Sequence, residues 1–77
     1  MKLLKHRPEK GLAAEVDGQW WQLESHADYA KAVLLMRERV DFYKDGKPHR
    51  ADGPATIWAY GYKAWFQNGE FIKHEIP

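Results

Sequence analysis

His49-Arg50-Ala51-Asp52 places an imidazole, a guanidinium and a carboxylate within four residues, a grouping that could serve acid-base chemistry or hold a phosphate. The neighbouring residues offer the same groups another use. Asp52 precedes Gly53-Pro54 and can cap a turn through its side chain, Arg50 can pair with Asp52 or with sheet-edge carbonyls, and Pro54 fixes the entry to the next strand. The structural reading leads, and His49, Arg50 and Asp52 are kept as candidate partner contacts rather than catalysts. His6, His26, His49 and His74 lack both the i, i+4 helical spacing and the carboxylate setting of a metal motif. Ser25 is the only serine and has no Gly-x-Ser-x-Gly setting, no glycine-rich phosphate loop is present, and cysteine is absent. The expectation is a protein without catalytic residues, metal or cofactor.

A second set of residues suits contact rather than reaction. Tyr43-Lys44, Trp58, Tyr60, Tyr62-Lys63, Trp65 and Phe66 interleave rings with bases, the pattern of sheets that stack single-stranded nucleic acid. Strand alternation groups Trp58 and Tyr60 with Thr56, and groups Trp65 with Lys63 and Gln67. One face carrying Trp58, Tyr60, Lys63, Trp65 and Gln67 would suit nucleic acid or a protein hot spot equally. The competing use of these rings is as the core of a small sheet under a helix.

The elements that must position these groups fit one domain. A chain of 77 residues can bury only about 60% of its unfolded surface. Four Trp, four Tyr and three Phe must then supply much of the core. Twelve Lys and Arg against eleven Asp and Glu give a net charge of +1, which excludes a strongly basic clamp and an acidic nucleic-acid mimic alike. The apolar run near the start is only Leu3-Leu4, and no segment approaches the roughly 18 apolar residues of a membrane span. The reading is a cytoplasmic protein with no membrane contact.

Leu12 to Val16, Asp17-Gly18 and Trp20 to Leu23 read as a hairpin. Ser25 resembles a helix N-cap with Asp28 in the first turn, and residues 26–40, free of Gly and Pro, predict a helix. Its stripe of Tyr29, Val33, Met36 and Val40 should lie on a sheet, leaving Leu34 and Leu35 outward as a candidate self-association surface for a homodimer. Beyond Val40, strand-length runs at 41–44, 55–60, 63–67 and 70–74 alternate with turn dipeptides, of which Asn68-Gly69 is the strongest hairpin signal. The fold class expected is α+β, a small antiparallel sheet in the order β-β-α-β-β-β with one helix packed on a face. Residues 1–40 form the hairpin-and-helix half, and residues 41–77 the meander.

Residues 42–54 match residues 65–77 at a 23-residue offset: aromatic pair, turn, Gly, base, acid and Pro recur in register. Tyr43 to Ala55, followed by Gly61, Lys63, Trp65, Asn68 and Gly69, resembles the "NGxxHRxDGPA" repeats of bacteriophage and bacterial proteins, which are similar to MORN-type β-hairpin repeats. The resemblance covers about residues 41–74. It implies a β-hairpin fold and a phage or mobile-element origin, and it transfers no catalytic residue. The leading expectation is a phage-encoded accessory protein, located in the host cytoplasm, that binds and modulates or inhibits a host protein. The alternatives are single-stranded nucleic-acid binding through the aromatic sheet and a structural or self-assembling role.

Overall fold

Asp17-Gly18, Asp45-Gly46 and Asn68-Gly69 each take positive φ at both positions (49° and 87°, 51° and 78°, 49° and 87°). That backbone closes two-residue hairpins, because its twist matches the twist of the flanking strands. The computed structural model describes all residues from Met1 to Pro77. Its strands are β1 (Lys2–Leu4), β2 (Leu12–Val16), β3 (Gln19–Gln22), β4 (Arg39–Lys44), β5 (Lys47–Pro48), β6 (Thr56–Trp58), β7 (Lys63–Gln67) and β8 (Glu70–Glu75), with one helix, α1 (Asp28–Leu35), between β3 and β4. They form a single open sheet in the order β1-β3-β2-β4-β6-β7-β8, with β5 paired to β4. Every pairing is antiparallel. The architecture is α+β, with α1 laid on one face of the sheet.

Alternation decides which residues meet the helix. Ala14 and Val16 of β2, Val40 and Phe42 of β4, and Leu23 pack with Tyr29 and Ala32 of α1, while Trp21, Val33, Met36 and Ile57 close the edges of this core. Phe42 and Val40 are the largest fully enclosed side chains. No helix is long and apolar enough to cross a membrane.

The helix is shorter than residues 26–40. Both Asp17 carboxylate oxygens accept backbone N–H groups, Oδ2 from Arg37 at 2.7 Å and Oδ1 from Glu38 at 2.8 Å and Arg39 at 3.0 Å. They hold those residues out of the helical ladder and lead the chain into β4, which begins at Arg39. Val40 therefore joins the core from a strand, opposite Val16, and is not the last rung of a helical stripe. Ser25 is not the N-cap either: Ala27 holds that position without a side-chain bond, and Asp28 turns back to accept the Glu24 N–H at 2.8 Å. The run 55–60 shortens to β6, because the Gly61 N–H bonds to the Trp58 carbonyl and Ala59 donates to Glu38. Two short strands were not expected: β1 pairs with β3 along Lys2 to Leu4, and β5 returns for only two residues.

Candidate functional site

Val40 and Phe42 point toward α1, so Arg39, Asp41 and Tyr43 between them point away from it. Register carries that side across the sheet: Trp20 opposes Glu15, Glu15 opposes Asp41, Asp41 opposes Thr56, and Arg39 opposes Trp58. The helix touches β2 and β4 from the other side, so this face is open. At its centre Arg39 grips Asp41 through two contacts, Nε to Oδ2 at 2.6 Å and Nη2 to Oδ1 at 2.9 Å. The Thr56 hydroxyl donates to Asp41 Oδ1 at 2.6 Å. The Arg39 guanidinium also lies 4.6 Å from the centre of the Trp58 ring, and Tyr60 lies 5.7 Å beyond it. Asp41 is buried while Arg39 remains exposed, a fixed cation on an aromatic plate. The Asp41 carboxylate raises the Arg39 pKa further above its ordinary value. Burial, followed by the charges of Asp41 and Glu15, raises that of Tyr43.

A second ring pair borders this plate. Trp20 and Tyr43 meet edge to face at 4.9 Å, diagonally across β2, over the small side chain of Ala13. Ala13 is fully buried for that reason, although it lies on the open side. Further along, Tyr62, His74, Phe71 and Phe66 contact one another in sequence at 5.6–5.7 Å, and the Tyr62 hydroxyl lies 3.3 Å from His74 Nδ1.

The expected face is divided. Trp58 and Tyr60 come together, but Ile57 pairs with Lys63, which sets Lys63, Trp65 and Gln67 on the helix side of the sheet, opposite Trp58. There Lys73 Nζ lies 4.5 Å from the Trp65 ring centre. Lys63 faces Glu75 and Gln67 faces Glu70, so the two lysines on that side are matched by two glutamates. The basic aromatic platform expected for nucleic acid is therefore not assembled on either side.

His49, Arg50 and Asp52 separate as well. His49 is buried, and its Nδ1 accepts the Asn68 N–H at 3.0 Å, tying the β4–β5 hairpin to the β7–β8 turn. Burial, followed by the charges of Lys44 and His26, lowers its pKa. The Arg50 guanidinium lies 4.9 Å from the ring centres of both Tyr29 and Phe42 and donates to the Pro54 carbonyl at 3.3 Å. Gly53 lies close against it: a Cβ there would sit 3.0 Å from Arg50 Cζ and would push the guanidinium aside by a few tenths of an ångström. Arg50 thus pairs with a carbonyl and not with Asp52, which is exposed beside His26 at 3.5 Å. Leu34 and Leu35 face outward, 85% and 51% exposed.

Glu15, Trp20, Arg39 and Asp41 were not among the expected site residues. The signal was present: Arg-Val-Asp-Phe-Tyr alternates polar and apolar at period two, but extending the helix to Val40 concealed it. Neither a protein-family model, nor a curated protein, nor a solved structure matches the chain.

Proposed function

We propose that this chain is a non-enzymatic protein-binding module that engages its partner with the open face of the sheet. One observation carries the reading: Arg39 is clamped by Asp41 and stacked on Trp58, within a face that also presents Trp20, Tyr43 and Tyr60 and has no helix over it. Trp, Tyr and Arg dominate protein hot spots, and rings held in place before contact lose little freedom on binding. The repeat-like segment from Tyr43 to Ala55 supports a phage-encoded accessory role, in which the partner is a host protein whose activity is altered. His49 and Arg50 then serve the fold, holding the hairpins together beneath the binding surface.

Affinity capture from a nuclease-treated bacterial lysate tests this reading, with wild type and Trp58→Ala side by side. A protein retained by wild type and lost from the variant is the expected result. Retention that disappears only with nuclease, or is unchanged by Trp58→Ala, would sink the reading.

A further inference from the structure

A hollow of about 240 Å³ opens between the β2–β3 turn and β4, walled by Glu15, Asp17, Gly18, Arg39 and Asp41. Most of its charge is already used. Asp17 is occupied by three backbone N–H groups, which hold its pKa below the usual carboxylate value, with that of Arg39 foremost. Asp41 is occupied by Arg39 and Thr56, and Arg39 is in turn neutralised by Asp41. Glu15 remains. It stands half-buried in the middle of the sheet, between Trp20 and Asp41, and takes no part in any ion pair. A carboxylate drawn partly out of water normally finds a partner to offset the lost hydration.

We infer that the open face docks a protein segment bearing an arginine or lysine, whose cationic head enters this hollow and pairs with Glu15. The apolar stem of such a side chain can lie along the Trp20 ring, and flanking apolar residues of the segment meet Tyr43 and Trp58. The sign of the unpaired charge selects the partner: a phosphate or an acidic peptide would bring a second negative charge against Glu15, and the one base in the wall of the hollow, Arg39, is already paired with Asp41. This inference rests on the protein-binding reading and names the chemistry of the partner.

Titration of 15N-labelled protein with N-acetyl-arginine amide, followed by NMR, tests it against the neutral isostere N-acetyl-citrulline amide. The arginine probe should shift signals of residues 15–20 and 39–41 and the indole N–H of Trp20. The citrulline probe, and the arginine probe on Glu15→Gln, should bind about tenfold more weakly. Equal responses to the two probes, or an unchanged response in Glu15→Gln, overturn the inference. Should Glu15→Gln melt early, wild type compared at about 20 mM and about 500 mM salt gives the same discrimination, since a half-exposed charge pair is screened and a purely apolar contact is not. The two readings fail separately. A captured protein that depends on Trp58 but is indifferent to Glu15→Gln removes the cationic docking and leaves the binding module standing.

Discussion

The strands under the helix and the β7–β8 hairpin belong to one sheet yet are held in different ways. Around β2 and β4 the apolar side chains are enclosed between α1 and the strands, and Phe42, Val40 and Ala14 are fully buried. In β8 all six residues are exposed, Phe71 and Ile72 by more than half. The cause is geometric. A helix about 10 Å wide spans only about two strands set 4.8 Å apart, and this chain has a single eight-residue helix for a seven-strand path. The hairpin depends instead on its backbone ladder, on ring pairs across strands, and on the contacts that His49 and Pro48 make with its turn. One region supplies stability, while the other contributes surface.

Phe42→Ala should break this contrast most severely. It empties the centre of the covered half and removes a ring from beneath Arg50, so a loss of about 3–5 kcal/mol is expected in urea denaturation. That is most of the stability of a small domain, about 5 kcal/mol at the low end.

His49 links the two regions, and its effect should be intermediate and dependent on pH. The folded state holds its Nδ1 as an acceptor, with the pKa lowered from 6.5, whereas the unfolded chain takes up a proton more readily. The His49 contribution is therefore complete above about pH 6.5 and declines as the pH falls toward the lower folded value. His49→Ala, which leaves the Asn68 N–H without its acceptor, should cost about 1–3 kcal/mol at pH 7.5 and flatten the fall in stability below pH 6.5. A variant that kept the wild-type pH dependence would place that dependence in other groups.

Ile72→Ala in β8 should be nearly silent, within about 0.5 kcal/mol. Hydrogen exchange sharpens the same point, with β8 amides expected to exchange ahead of those in β2 and β4. Equal protection in the two regions would mean that the hairpin is part of the cooperative core.

The sequence made the turns and the sheet readable, since Asp-Gly and Asn-Gly between aromatic runs leave few alternatives to hairpins. It misjudged the junction of helix and strand because Arg37 to Arg39 are good helix formers locally. What removes them from the helix is a carboxylate twenty residues earlier, a long-range bond that no local window contains. The candidate site suffered from the same limit. Alternation within each strand was read correctly, but whether Trp58 and Trp65 share a face depends on the register between β6 and β7, which pairs Ile57 with Lys63. Proximity in sequence also misled at His49 to Asp52, where four consecutive residues serve a buried hydrogen bond, a cation resting beside two rings and an exposed turn.

A bare edge strand carrying Phe71 and Ile72 has the features of a template for fibrous aggregation. The pairing of β8 with β7 slips between Trp65 and Phe66: Trp65 faces Lys73 and Phe66 faces Phe71, leaving Ile72 as an extra residue. Such a bulge twists the strand and puts its outer hydrogen-bonding groups out of step with any incoming ladder. The irregularity works against extension of the sheet by a second chain at this edge, where the side chains of the hairpin are exposed.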